Sequence, residues 1–286
     1  MDLASSLWNA VDGMLVINLD TCMQRMEQFR EVNAALPQEK LQRQSACLGR
    51  ALPGYGEAPW FTERTGERAS NWAGAAGCAV SHRRAIETAR DKGWKNVLIL
   101  EDDARLNLFE AAATLISRAL ADLRGAYMLY LGYNRPVPHG HPVAEEGASS
   151  LWQVDGVLAT HAYIVSAPAY DILLNCLPTE EQVWEWLARY RAIDTFYRDY
   201  VAAGGMLPVY AVYPTIFAQS AGVSSISGEV VADDNCACER APYPVSLLYR
   251  LMSPFRRLKT LLNSVRTHRR ALRGGFPGYR RKQTQV

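Results

Sequence analysis

The chain has 286 residues and a mass of 31.9 kDa, enough for one large α/β domain or two small ones. Hydrophobic residues make up 49% and charged residues 21%, a composition that excludes an intrinsically disordered chain. Six cysteines without a Cys-x-x-Cys pair exclude a disulfide-stapled scaffold and favour a reduced, cytoplasmic compartment. The N-terminus lacks the basic and apolar regions of a signal peptide.

The net charge of +2 conceals two regions of opposite sign. Residues 241–286 contain eleven Lys and Arg and no Asp or Glu, which leaves 20 basic against 29 acidic residues, a net charge of −9, in residues 1–240. Such a basic segment is attracted to phosphate, on lipid or on nucleic acid. We therefore predict a folded domain over 12–235 and a basic tail over 241–286.

Apolar periodicity predicts strands that alternate with helices. The predicted strands are 14–20, 97–100, 127–131, 158–166 and 207–213. The predicted helices are one that ends at Pro37 and those over 77–89, 108–123, 167–177 and 180–203, with loops at 49–70 and 134–150. This order predicts an α/β sandwich with a largely parallel central sheet, which binds ligands beyond the carboxyl ends of its strands.

An acidic block, Glu101-Asp102-Asp103, directly follows the apolar run 97–100. Because three adjacent carboxylates repel one another, the block predicts a counter-ion. Oxygen ligands suit Mg²⁺ or Mn²⁺, ions that bridge to substrate phosphates. Alternation along a strand would put Glu101 and Asp103 on one side and Asp102 on the other. A solvated acidic loop is the alternative.

Seven blocks occur in one order along the chain. They are VINLD (16–20) with Arg25, GCAVSH (77–82), LILEDDA (98–104), YLG (130–132), AYIVS (162–166), Asp194 and YPTIFAQ (213–219). The ordered set resembles glycosyltransferase family 25, the group of bacterial lipopolysaccharide glycosyltransferases and collagen galactosyltransferases. The likeness extends over roughly residues 14–227. One departure is Ser225 in Ser-Ser-Ile, where the family tends to show an Asp.

The resemblance implies a GT-A-like, Rossmann-type fold and a metal-dependent glycosyltransferase with a UDP-sugar donor. It implies transfer of galactose or glucose, with inversion, to a hydroxyl of a saccharide acceptor such as a lipopolysaccharide or lipooligosaccharide core or another surface glycan. The implied cofactor is Mn²⁺ or Mg²⁺.

Roles in the acidic block and the nucleotide site follow from this resemblance. We expect Glu101 and Asp103 to hold the metal and Asp102 to contact the ribose or the metal. Asn18, Leu19 and Arg25, after the first strand, would flank the nucleotide.

Further roles concern the donor contacts and the acceptor. Ser81 and His82 are expected near the start of a helix, where backbone amides favour phosphate. His82 is expected to contact the donor or the acceptor and is a candidate catalytic residue, and a structural hydrogen-bonding histidine is the alternative. Asp194 is the candidate general base for the acceptor hydroxyl, and an ion pair with Arg191 or Arg198 is the alternative. The resemblance also places His161, Tyr163 and Gln219 near the sugar, although such a Tyr is more often core.

The tail interleaves leucines with arginines after Pro254, which would break or bend a helix. This pattern predicts an amphipathic helix, within 245–282, on an anionic membrane surface. A helix packed on the domain with its arginines in water is the alternative. A membrane position would suit a lipid-linked acceptor at the inner face of the cytoplasmic membrane.

Three other functions remain open at this point. A relative that binds nucleotide-sugar without transferring it is compatible with Ser225. A nucleic-acid-binding protein would use the basic tail, but the acidic domain carries no recognition motif, so no nucleic-acid partner is expected. A metal-dependent phosphohydrolase would need more His and Asp ligands than the acidic block supplies.

Overall fold

The computed structural model describes residues 7–134, 138–220, 222–223, 230–231 and 241–277. The strands are β1 Gly13–Asn18, β2 Leu41–Ser45, β3 Asn96–Glu101, β4 Ala104–Leu106, β5 Met128–Asn134, β6 His139–Glu146, β7 Ser149–Val154, β8 Leu158–Ser166, β9 Val209–Tyr213, β10 Phe217–Gln219, β11 Gly222–Val223, β12 Val230–Val231 and β13 Tyr243–Pro244. The α-helices that lie wholly within the described residues are α1 Met23–Val32, α2 Ala69–Asp91, α3 Glu110–Asp122, α4 Ala167–Leu174, α5 Val183–Tyr190, α6 Ile193–Phe196, α7 Leu247–Leu251 and α8 Ser253–Gly274.

Nine strands form the central sheet in the order β13-β6-β7-β9-β5-β8-β3-β1-β2. The pairings are antiparallel on both sides of β7 and of β8 and parallel elsewhere. Seven of the nine strands therefore run in one direction, and β7 and β8 run against them. The predicted α/β class with a largely parallel central sheet is confirmed.

Helices cover both faces of the sheet, and its central strands are buried on both faces along most of their length. In β3, Val97 and Ile99 pack with α2, α4 and α5, whereas Leu98 and Leu100 pack with α1 and α3. Successive side chains of a strand point to opposite faces, so a continuous apolar run buries both.

The helix predicted at 77–89 begins earlier, at Ala69. A glycine of this helix allows close contact with another segment of the backbone. A Cβ at Gly77 would overlap the carbonyl of Cys47, and one at Gly49 would overlap the carbonyl of Ala73. The segment after β2 therefore lies directly against α2, and the prediction of a helix start next to Ser81 is wrong.

Two more predictions about local structure are corrected. The loop predicted at 134–150 contains β6 and the start of β7, which turn at Gly147 with a φ of 54°. Pro142 can lie in β6 because it is next to a register shift in the pairing of β6 with β7. In addition, β13 pairs only with the first two residues of β6, so no strand in the described part of the chain pairs with Pro142 on that side. The helix predicted at 180–203 is interrupted at Arg191, which has a φ of 72°, before α6 and a π-helical turn at Tyr197–Ala202.

The tail packs on the domain through an aromatic anchor. Phe276 is fully buried and stacks on Trp72, with ring centroids 4.2 Å apart. The amide of Phe276 donates to the carbonyl of Trp60 at 2.6 Å, and the indole of Trp72 donates to the carbonyl of Pro277 at 3.3 Å. The tail has the predicted helix break, but it lies at Met252, between α7 and α8, and Pro254 is in the first turn of α8. Residues 278–282 of the predicted membrane segment lie outside the described residues.

The thiols of Cys22, Cys47, Cys78 and Cys176 are free, whereas Cys236 and Cys238 lie outside the described residues. Within the described ranges, no helix has the length and hydropathy that crossing a membrane requires.

Replacing Phe276 by Ala removes this anchor, and we expect the free energy of unfolding to fall by about 3 kcal/mol. Phe255, another phenylalanine of the tail, is 65% exposed, so Phe255→Ala should change it by less than about 0.5 kcal/mol. Urea denaturation measures both. Equal midpoints for the two variants would contradict a docked tail.

Candidate active site

A cavity of about 510 Å³ opens at the carboxyl ends of β1 and β3. The two strands pair in parallel with Ile17 opposite Glu101, so the residues that follow each strand meet. Nine residues were expected at the metal, nucleotide and catalytic positions, and eight of them line the cavity: Asn18, Leu19, Arg25, Ser81, His82, Glu101, Asp102 and Asp103. Asp194 is not part of this lining.

Asp102 is held by two side chains that follow β1. The Asn18 amide donates to Asp102 Oδ2 at 2.8 Å, and the Arg25 guanidinium pairs with Asp102 Oδ1. Arg25 also lies 4.0 Å from Asp103 Oδ2, because the chain turns after Glu101 and does not continue as a strand. The expectation that Asp102 and Asp103 face opposite sides is therefore wrong: both face Arg25.

Glu101 is fixed by residues of β8 and α2. Its Oε1 accepts a hydrogen bond from Thr160 at 2.6 Å and lies 3.5 Å from His82 Nε2. His82 Nδ1 lies 2.7 Å from the Tyr163 hydroxyl, and we assign the tautomer in which this hydroxyl donates and the Nε2 proton faces Glu101. Burial alone would raise the pKa of Glu101, but His82 and Thr160 stabilise the carboxylate, and the net shift is downward.

Asp103 is the least compensated of the three carboxylates. Its Oδ2 lies 3.4 Å from the Gln219 amide, while its buried Oδ1 has no hydrogen-bond partner among the described residues. Burial and the charges of Glu101 and Asp102 raise the pKa of Asp103 to about 7. An orphaned carboxylate oxygen beside two other carboxylates fits a divalent cation, which prefers oxygen ligands.

A second group of possible metal ligands was missed from the sequence. One donor atom each of Cys78, His82 and Glu101 lies within 4.8 Å of the others. The spacing of Cys78 and His82, four residues apart on one helix face, was the available signal. Burial, with the charges of Glu101 and Asp194, raises the pKa of the Cys78 thiol well above its ordinary value. The thiol and imidazole of this cluster suit Zn²⁺ or another transition metal, whereas the oxygens of Glu101 and Asp103 suit Mg²⁺ or Mn²⁺.

The cavity wall formed by residues 46–50 was also missed. It includes Arg50, an exposed cation at the cavity. This segment follows β2, a strand whose polar sequence LQRQS gives no apolar alternation. An edge strand tolerates such side chains, since one of its sides is unpaired.

Ser81 and His82 lie in the middle of α2 and not at its start. The Ser81 hydroxyl donates to the carbonyl of Gly77 at 2.6 Å and accepts from the amide of Cys47 at 2.7 Å. These bonds tie the segment after β2 to the helix. The amides of this part of α2 are inside the helix, so the expected phosphate site at a helix N-terminus is wrong.

The three residues expected near the sugar separate into two groups. Gln219 lines the cavity. His161 and Tyr163 are fully buried and do not line it, with His161 Nε2 3.3 Å from the carbonyl of Phe217. Tyr163 therefore supports His82 from the core.

Asp194 lies in the first turn of α6 and accepts hydrogen bonds from the amides of Thr195 at 2.6 Å and Ala159 at 3.5 Å. The alternative ion pair with Arg191 or Arg198 is not formed, although all three residues are described. The bond from Ala159 places the Asp194 carboxylate beside Thr160, whose hydroxyl bonds to Glu101. Its role as a base stays a prediction.

No protein-family model matches the sequence, and no curated protein matches it at the significance required. Among solved structures, the fold is similar to a mannose-1-phosphate geranyltransferase from Thermus thermophilus, with 14% identity, a TM-score of 0.36 and coverage of 70% of this chain and 72% of that one. It is also similar to "A197 from STIV", with 8% identity, a TM-score of 0.37 and coverage of 82% and 97%. Likenesses of this size identify neither a family nor an activity.

The raised pKa of Asp103 predicts a pH-dependent stability. The folded protein keeps this proton up to about pH 7, whereas the unfolded chain loses it near its ordinary value of 3.8, so stability falls as pH rises between these values. Without divalent metal, Asp103→Asn should therefore raise the free energy of unfolding by at least about 1 kcal/mol at pH 8 and leave it unchanged near pH 4.

Urea titrations across this pH range, in buffer with a chelator, make the measurement. Asp122→Asn, at an exposed position of α3, is the matched control. A gain for Asp103→Asn that is the same at every pH would contradict the assignment.

Proposed function

We propose that the protein is a metal-dependent inverting glycosyltransferase that transfers a hexose, galactose or glucose, from a UDP-sugar to a saccharide hydroxyl. The observation that supports this most strongly is that residues from separate sequence blocks lie together in the structure. Blocks chosen from the sequence for their resemblance to glycosyltransferase family 25 lie far apart in the chain, yet Asn18, His82, Glu101, Asp103 and Gln219 line one cavity. Residues from separate blocks therefore meet in space, as a single binding site requires.

The donor would bind at the ends of β1 and β3, where this class of sheet binds its ligands. Two cations, Arg25 and Arg50, line the cavity and suit the diphosphate of a nucleotide-sugar. Asn18 and Asp102 hold Arg25 in place, since the three side chains form one bonded set. This set would orient the nucleotide before the reaction.

Glu101 and Asp103 would hold the divalent cation, because Asp103 Oδ1 is buried without a partner among the described residues. When bound, the ion supplies stabilisation of the charge that develops on the leaving diphosphate. His82 and Thr160 hold the Glu101 carboxylate in one orientation, and Tyr163 holds His82. Asp194 would take the proton from the attacking hydroxyl, the one transfer that inversion requires.

The acceptor in this proposal is a lipopolysaccharide or lipooligosaccharide core, or another surface glycan, on the cytoplasmic side of the membrane. The inactive relative remains a distinct outcome, and Ser224, Ser225 and Ile226, which bear on it, lie outside the described residues. A screen of UDP-sugars with and without Mn²⁺, with UDP release and sugar transfer both measured, separates the functions. Release without transfer to any acceptor would indicate a hydrolase, and binding without release an inactive relative.

Substituting Asp103 by Ala should lower metal-dependent UDP release at least about 100-fold while the circular dichroism spectrum stays that of the wild type. The variant should also lose Mn²⁺ binding, as measured by calorimetry with the metal alone. Cys78→Ser is the matched control, since it alters the other metal cluster and should keep both properties. Loss of metal binding in Cys78→Ser but not in Asp103→Ala would refute the oxygen site.

Asp194→Asn should bind the UDP-sugar with unchanged affinity and lower the rate of transfer at least about 100-fold, because the amide cannot accept the proton. Asp199→Asn is the control, since this neighbouring carboxylate is bonded to Arg198. Single-turnover transfer and donor binding are measured separately. A normal transfer rate in Asp194→Asn would exclude the base role.

A further inference from the structure

The polarity of α8 is the reverse of that of an ordinary surface helix. Its side toward the domain carries mainly small and polar residues, which are buried or half-buried: Ser253, Arg256, Thr260, Ser264, Thr267, His268 and Ala271. Its outward side carries Phe255, Leu258, Leu261, Leu262 and Leu272, each between 46% and 65% exposed. A helix that only completed a domain would bury its apolar side.

The preceding helix also exposes apolar side chains. In α7, Leu247, Leu248 and Leu251 are 73%, 69% and 64% exposed. Several exposed apolar residues on one side of a helix, as in the apolar strip of α8, mark an interaction site on a protein surface, whereas single exposed leucines do not.

The domain fixes which side of α8 faces outward. Tyr200 donates to the carbonyl of Thr260 at 3.3 Å, and Arg257 Nε donates to the carbonyl of Ala203 at 2.9 Å. At the other end of the helix, the buried ring of Phe276 is stacked on Trp72. The helix cannot roll to bury its leucines without breaking these contacts.

The charges beside the strip identify what covers it. By helical spacing, Lys259, Arg266, Arg270 and Arg273 lie along one flank of the apolar strip, whereas Arg269 lies within it, and all five are exposed. Residues 241–277 contain no acidic residue, so two copies of this face would repel each other. Nucleic acid would pair with the cations but would leave the leucines uncovered.

We propose that the outward face of α7 and α8 docks on the headgroup region of a bilayer that contains anionic lipid. The leucines and Phe255 enter the boundary between headgroups and acyl chains, and the basic flank pairs with the lipid charges. Phe276 packs against Trp72, near Ser70 and Ala73 of the cavity wall, so docking would hold the cavity close to the bilayer. This inference is independent of the proposed reaction.

Sedimentation of the full chain with vesicles tests the docking face. The probes are vesicles of phosphatidylcholine alone and vesicles with about 30% phosphatidylserine. We expect binding to the anionic vesicles that weakens with salt. The triple variant Phe255→Ser/Leu258→Ser/Leu262→Ser should reduce binding at least about tenfold, and Arg266→Gln/Arg270→Gln/Arg273→Gln roughly 100-fold at low salt.

The matched control replaces three exposed apolar residues elsewhere, Met23, Val32 and Val143, which are 47%, 52% and 48% exposed, by Ser. It should bind as the wild type does. Wild-type binding by the Phe255/Leu258/Leu262 variant would overturn the proposal, as would no difference between the two vesicle types. A dimer that forms through this face, with no vesicle binding, would overturn it in favour of a second copy.

Discussion

The acidic block at the end of β3 is the constraint on which the site depends. Three carboxylates follow one another at the end of a buried strand, and each has different hydrogen-bonding and charged neighbours. Asp102 pairs with Arg25 and accepts a hydrogen bond from Asn18. Glu101 is held by Thr160 and His82. Asp103 keeps a buried oxygen without a partner in the described part of the chain. The strands, the helix α2 and the parallel register of β1 and β3 together produce this distribution, and a divalent cation would complete it.

The central fold could be predicted from the sequence because several of its strands are short apolar runs between helices. VLIL at 97–100 buries both of its faces, so its pattern has one structural solution. The peripheral strands gave weaker signals. β2 lies at a sheet edge and is polar, so it shows no apolar alternation. β6 contains Gly140 and Pro142, which are typical of loops, so the sequence does not reveal the partial pairing that this strand makes with β13. Arg191 interrupts a helix through a positive φ that its residue type does not indicate.

The sequence predicted which residues form the site but not how their side chains are arranged. Eight predicted residues share the cavity, because parallel strands bring their carboxyl ends to one edge of the sheet. The functions of individual side chains depended on tertiary contacts that spacing does not encode. Ser81 is committed to the carbonyl of Gly77 and the amide of Cys47, and the glycine of the GCAVSH block allows close approach of another backbone segment. The contact between this glycine and the segment after β2 brings residues 46–50 to the cavity beside Cys78. The tail shows the same limit: its composition predicts an amphipathic helix, but only the packing reveals which side faces outward.

The central claim is that the oxygens of Glu101 and Asp103 take a divalent cation which joins the protein to a diphosphate. A crystal structure of the protein with Mn²⁺ and uridine diphosphate tests it most directly, since the anomalous signal of manganese locates the ion independently of the refined coordinates. We predict one ion within bonding distance of both carboxylates and of the diphosphate, with the nucleotide beside Asn18 and Arg25. An ion bound at Cys78 and His82 without Asp103, or a nucleotide bound outside this cavity, would contradict the account.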